Sequence, residues 1–191
     1  MIPFSAVMEV TRGVSGSAAF EDDECRAYYD LLTLLGRHSH VLEIGLQFGR
    51  SSSIVMQLAR DIGFRYTGID PFTDPPEARE VWKDLQERLA AECHLIVGRT
   101  IDVIASFLSA TCLPEYDLVL VDGDHTECGV AIDCAYAIPR INPGGYLLFH
   151  DYGRESLPWV MPTARKILAP MKHWQEVKVV GTLGIWRHDP S

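Results

Sequence analysis

The order of its apolar segments constrains this 191-residue chain more than any single motif does. Four short, continuously apolar runs stand out: "HVLEIG" (40–45), "YTGID" (66–70), "YDLVLVDG" (116–123) and "GGYLLFHD" (144–151). "HLIVG" (94–98) is a weaker fifth. Each is bounded by glycine or acid, the pattern of strands buried on both faces. Helical patterns separate them at 50–62, 76–92, 101–109 and 126–138, after an earlier one at 21–36. Such alternation predicts a parallel sheet with helices on both sides. The end of the chain breaks the rule. After a helix around 160–170, "WQEVKVV" and "TLGIWRH" follow one another with only Gly181 between. Strands joined so closely are antiparallel. The expectation is an α/β fold: a doubly wound, mostly parallel, seven-stranded, Rossmann-like sheet finished by a C-terminal antiparallel hairpin. The chain reads as one domain, with 1–39 as an N-terminal cap and helix and 40–191 as the core.

Composition narrows the class of partner. With 47% hydrophobic and 23% charged residues the chain can bury a sizeable core. A net charge of -9 and scattered cations argue against nucleic acid, because a polyanion needs a dense cationic face. No apolar run is long enough for a membrane span, and "MIPFSAVMEV" has no signal-peptide pattern. Five cysteines (25, 93, 112, 128 and 134) show no CxxC pair, which favours reduced thiols and a cytoplasmic location. A small-molecule substrate is the expected partner.

In doubly wound sheets ligands bind outside the carboxyl ends of the strands, near the reversal of strand order. "VLEIGLQFGRSSS" joins the first strand to its helix there. Gly45 and Gly49 permit a sharp turn and close backbone approach. The serines at 51–53 can cap the helix whose N-terminal amides face the pocket. Asp70 ends the next strand, where an acid can bind a ribose diol. A dinucleotide site would want G-x-G-x-x-G, but Gln47 and Arg50 stand where the second and third glycines belong. The pattern is instead E-x-G-x-x-x-G, beginning at Glu43. An adenosine ligand is favoured over an ordinary tight turn.

Two acid–histidine clusters share that edge. "VDGDHTECGV" puts Asp122, Asp124 and His125 after one strand; "GGYLLFHDYG" puts His150 and Asp151 after the next. Taken singly, each has a plain structural reading: Asp124 can cap the following helix, and His150 can be a hydrogen-bonded core residue beneath Tyr152. Both together, behind a cofactor loop, favour function.

"LEIGLQFGRSSS", "TGIDPF", "DLVLVDGDHTECGV" and "PGGYLLFHDY", in this order, resemble the class I S-adenosylmethionine-dependent methyltransferases. The closer likeness is to the metal-dependent small-molecule O-methyltransferases, of the catechol, caffeoyl-CoA and bacterial macrolide-sugar types. The resemblance implies that the loop Glu43–Gly49, with Gln47 in it, holds the methionine part of the cofactor, with Ser51 in the helix turn behind. It gives Asp70 the ribose hydroxyls and sets Gly98, Arg99 and Thr100 beside the adenine, although Arg99 is equally readable as a surface charge. Asp122 and Asp124 would also face the cofactor. Matched by position, Asp122, His150 and Asp151 would ligate a divalent metal (Mg or Mn), and His125 stands where the family has a catalytic lysine.

The departures alter the chemistry. An imidazole ligand shifts preference from magnesium towards manganese, iron or zinc. A neutral His125 could take the acceptor's proton near neutral pH. Asp124 could orient His125 or balance the sulfonium charge. Two other readings remain: a protein that binds S-adenosylmethionine without turnover, and a non-haem metal enzyme using His125, His150 and an acid. The segments 12–20, 71–90 and 151–166 read as covers for the pocket, with Trp159 and Met161 near an acceptor. Trp174 and Trp186 either serve a homodimer or pack within the hairpin.

Overall fold

A computed structural model describes residues 1–14, 20–73, 75–107 and 114–189. In chain order these form α1 (Phe4–Thr11), α2 (Asp22–Leu32), β1 (His40–Ile44), α3 (Arg50–Ile62), β2 (Arg65–Asp70), α4 (Ala78–Leu89) and β3 (His94–Val97). Then come α5 (Thr100–Phe107), β4 (Tyr116–Val121), α6 (Glu127–Ala137), β5 (Ile141–Phe149), α7 (Val160–Leu168), β6 (Trp174–Val180) and β7 (Leu183–His188). The strands make one sheet in the order β3-β2-β1-β4-β5-β7-β6. β7 runs antiparallel to both β5 and β6, and the other pairings are parallel. The expected architecture is the one observed, down to the single reversed strand.

Alternation along the strands sorts the core into two layers. Val41, Leu118, Leu120 and Leu148 point to the face covered by α1, α2, α3 and α4, where Met8, Tyr28, Ile54 and Trp82 meet them. Leu42, Ile44, Val119, Val121, Leu147 and Phe149 point the other way, against Val103, Val130, Ala164 and Leu168 of α5, α6 and α7. Every residue of β1 is buried, as a central strand covered on both faces must be.

The N-terminal helix α1 has no counterpart in the sequence reading; its Val7 and Met8 pack against α3. The helix after it opens with a capping box between Glu21 and Glu24. Trp174 and Trp186 are both buried, so hairpin packing accounts for them. The expected cover at 12–20 falls mostly on 15–19, outside the described residues. The four described cysteines are unpaired, and Cys112 is not among them. Among the described residues no helix is long and apolar enough to cross a membrane.

Candidate active site

Strand order reverses between β1 and β4, and the carboxyl ends of these strands open the site. After Ile44 the chain turns at Gly45 (φ 86°) and again at Gly49 (φ 88°), both in the left-handed region. A Cβ at Gly45 would lie 2.0 Å from the carbonyl oxygen of Asp122, so the loop crosses the end of β4 with no room for a side chain. The loop is held from the other side by Asp70. Its Oδ2 accepts from the amides of Leu46 (2.6 Å) and Gln47 (3.0 Å), and its Oδ1 from the amide of Phe72.

Glu43 does not reach the open side of this loop. It is fully buried and accepts from the hydroxyls of Ser51, Ser52 (3.0 Å) and Tyr66 (2.5 Å). Burial pushes its carboxyl up to about 7, against three donors that favour the charged form. The acid expected to touch a cofactor instead anchors the first turn of α3 to β1 and β2. Ser51 is buried with it, and Gly49 packs beneath Trp82.

A cleft of about 590 Å³ lies over the strand ends. On its β2–β3 side it is lined by Gly45, Gln47, Asp70, Gly98, Arg99 and Thr100. On its β4–β5 side it is lined by Asp122, Asp124, His125, Asp151 and Arg154. Nine of the twelve residues expected to bind or act on a ligand near these strand ends (Gly45, Gln47, Asp70, Gly98, Arg99, Thr100, Asp122, Asp124 and His125) therefore line one cleft, and Asp151 joins them from the expected metal set. Arg99 is exposed and ion-paired with Asp102 at 3.0 Å. Asp124 accepts from the amide of Thr126 (3.0 Å), but the cap of α6 expected of it is supplied by Thr126, whose hydroxyl accepts from the amide of Gly129 at 3.0 Å.

The polar wall is a chain of acids and imidazoles. His125 Nε2 sits 3.3 Å from Asp122 Oδ1 and 3.2 Å from Asp151 Oδ2. Those two contacts push its imidazole up to about 9, despite partial burial. Arg154 Nη1 donates to Asp151 Oδ1 at 2.7 Å. Asp151 itself takes a left-handed backbone (φ 55°) just beyond β5.

His150 is placed differently from the metal-ligand expectation. It is fully buried, absent from the cleft wall, and stacked on Phe20 with ring centroids 4.5 Å apart. Its Nδ1 lies 3.1 Å from Asp122 Oδ1 and its Nε2 lies 3.3 Å from Glu24 Oε2. Burial opposes a charge there, yet Asp122 and Glu24 outweigh it and push the imidazole up to about 10. In the imidazolium form both ring nitrogens donate to these carboxylates. On the cleft side, Asp122, His125 and Asp151 bring donor atoms within 4.8 Å of one another, and His150 Nδ1 approaches the same two acids from the core, 3.1 Å from Asp122 Oδ1 and 3.6 Å from Asp151 Oδ2.

Three residues of this region were not singled out from sequence. Glu24 is one of four adjacent acids in "EDDE", and nothing in that run marks which one turns inward. Arg154 lies in a loop without periodicity. Asp133 did leave a signal, an acid inside the apolar helix stretch "VAIDCAYAI".

Several solved structures that the fold resembles are named as methyltransferases. An O-methyltransferase from Bacillus cereus, in complex with SAH, matches with TM-score 0.71 and 17% identity over 100% of this chain and 93% of its own. A putative O-methyltransferase from Klebsiella pneumoniae matches with TM-score 0.72 and 15% identity, covering 100% and 93%. The O-methyltransferase TomG from Streptomyces achromogenes, involved in tomaymycin synthesis and in complex with SAM, gives 0.65 and 18%, covering 98% and 89%. At such identities the likeness is one of fold. No curated protein matches the sequence. The family model described as a methyltransferase domain matches residues 42–152, more than half of the chain and the whole stretch from the glycine loop to the second acid–histidine cluster, and the chain belongs to that family.

Proposed function

We propose that the protein is an S-adenosylmethionine-dependent O-methyltransferase acting on a small hydroxylated metabolite. The observation that carries this reading is the shared cleft: a glycine loop latched by Asp70 and a carboxylate–imidazole cluster face the same space. Solved neighbours with SAH or SAM bound support the cofactor. The cofactor's adenosyl end would lie between Asp70 and Thr100, leaving the sulfonium towards Asp122, whose charge favours a cation over the neutral product. Positioning the acceptor oxygen in line with the methyl carbon would supply most of the rate.

His125 is the residue we assign to the acceptor's proton. Its Nε2 faces the cleft between Asp122 and Asp151, and those carboxylates stabilise the imidazolium formed when the proton arrives. The same contacts keep the ring charged at neutral pH, so it must lose a proton before it can accept one. Turnover should therefore rise with pH up to about 9 and fall at least about a hundredfold in His125→Ala, the usual scale of a general base.

A second reading has its own observation. Two carboxylate oxygens and one imidazole nitrogen within 4.8 Å form a donor set that fits a divalent cation with mixed oxygen and nitrogen preference. Asp122, His125 and Asp151 would hold it, and it would make a bound acceptor hydroxyl more acidic. One nitrogen cannot serve both purposes. Methyl transfer from labelled S-adenosylmethionine, followed across pH with and without a chelator, separates the two. Chelator-resistant activity climbing towards pH 9 supports His125 as base; activity lost to chelator and restored by manganese supports the cation. If no hydroxylated acceptor from a broad panel is methylated under either condition, the proposal fails.

A further inference from the structure

The loop after β5 brings a fixed positive charge to the carboxylate–imidazole cluster. Asp151 (φ 55°) and Gly153 (φ 87°) both take left-handed backbone, and the amide of Arg154 returns to the carbonyl of Asp151 at 3.2 Å. An added Cβ at Gly153 would meet only Met161, at 3.7 Å, so the backbone angle rather than space requires a glycine there. This turn sets the Arg154 side chain in the cleft wall with Nη1 2.7 Å from Asp151 Oδ1. The other oxygen of Asp151 faces the imidazoles, 3.2 Å from His125 Nε2 and 3.6 Å from His150 Nδ1. Asp151 is 3% exposed, whereas the side chain of Arg154 is 45% exposed. Among the described residues that side chain has no other hydrogen bond or ion pair. The acid is thus fixed in place, while its guanidinium partner can swing into solvent without breaking a second contact. Arginine keeps its charge at any working pH, so it leaves Asp151 by moving and not by losing a proton.

We propose that Arg154 is the built-in cation of this cluster and sets its affinity for metal: a divalent ion held by Asp122, His125 and Asp151 must displace the guanidinium from Asp151. The inference rests on the cation reading above and deepens it. A neighbouring unit charge within about 4–6 Å changes a group's affinity for a proton by about tenfold to a thousandfold. A divalent ion carries twice the proton's charge and feels the same guanidinium. Arg154 therefore tunes metal binding without being a ligand, and it compensates Asp151 whenever the ion is absent.

The test is calorimetric titration of manganese chloride, at fixed ionic strength and near neutral pH, into the wild type, Arg154→Ala, Arg154→Lys and Arg154→Ala combined with Asp151→Asn. Removing the guanidinium should tighten manganese binding at least about tenfold. Arg154→Lys keeps the charge, and the native contact uses a single nitrogen, so it should stay within about threefold of the wild type. Adding Asp151→Asn to the alanine variant should erase the gain, which places the ion in this cluster. Arg154→Met keeps the apolar stem and takes the place of alanine if that variant does not fold. Equal affinity in the wild type and Arg154→Ala overturns the inference, as does equal tightening by lysine and alanine, or a gain that survives Asp151→Asn. No saturable manganese binding to any of these proteins overturns the cation reading itself, and the two failures are thereby distinguished.

Discussion

At the scale of single residues, the site separates acids that hold the protein together from acids that face a ligand. Glu43 shows the difference. It looked like part of the binding loop because it precedes Gly45 by two positions, but β1 is covered on both faces and side chains alternate along it. Residue 43 therefore points into the layer beneath α3, where Ser51, Ser52 and Tyr66 surround it. Replacing it with alanine orphans three buried donors and should lower stability by about 3 kcal/mol, measurable by urea unfolding. The pH dependence has a definite sign. Glu43 and Asp133 have folded values raised to about 7, so the folded protein holds their protons more tightly and stability falls as pH rises from the ordinary carboxyl range to 7. His125 and His150 are raised to about 9 and 10; their contribution is complete below the ordinary imidazole value and lost as pH climbs through those values. Glu24, lowered to about 2 because its contact with His150 and its backbone donors outweigh burial, contributes above the usual carboxyl value and fails only in strong acid. Metal-free protein should accordingly melt at a higher temperature near pH 5 than near pH 9. A melting temperature that increases across that interval would contradict these assignments.

At the scale of elements, the ends of neighbouring strands matter more than their middles. The amide of Asp122 donates to the carbonyl of Ile44 at 2.7 Å, that of Gly45 to Ile69 at 2.9 Å, and that of His150 to Val121 at 3.0 Å. Each strand thus hands its first loop residue to its neighbour, and the catalytic candidates are fixed by backbone before any side chain acts. Gly45→Ala should break this arrangement. Its left-handed φ costs about 1–2 kcal/mol for an L-residue, and the clash with Asp122 adds to that. Lowered melting temperature together with loss of S-adenosylhomocysteine binding is the expected result; retained binding at wild-type affinity would mean that the loop does not define the pocket. This level was largely legible in the sequence. Apolar runs and glycine punctuation located the β-strands, and the clusters at 122–125 and 150–151 emerged at strand ends as anticipated. What the pattern could not supply was the side on which a strand-end residue lands. His150 and Asp151 are adjacent, yet one enters the core and the other lines the cleft, because the left-handed turn at Asp151 redirects the chain.

At the scale of the whole molecule, the N-terminal helices belong to the catalytic half of the structure through one residue. Glu24, buried on α2, accepts from the amide and hydroxyl of Thr182 in the β6–β7 turn and lies against His150 beside the cleft. Its partners sit 158 and 126 residues away, a separation that local periodicity does not reveal. Glu24→Ala would leave the His150 imidazolium in the core with half of its compensation gone, and should cost about 3–5 kcal/mol in denaturant unfolding. A loss below about 1 kcal/mol would show that the link is incidental. The acidic wall assembled from the loops after β4 and β5, backed by Glu24 through His150, is the feature that distinguishes this cleft from a plain nucleoside pocket.

The central claim is that one cleft binds the adenosyl cofactor beside the carboxylate–imidazole cluster. Its most direct test is calorimetric titration of S-adenosylhomocysteine into the wild type, Asp70→Asn and His125→Ala. The account predicts saturable binding at a single site, weakened about tenfold or more when the Asp70 carboxylate is lost and nearly unchanged when His125 is removed. Absence of binding to the wild type, or binding indifferent to Asp70, would contradict it.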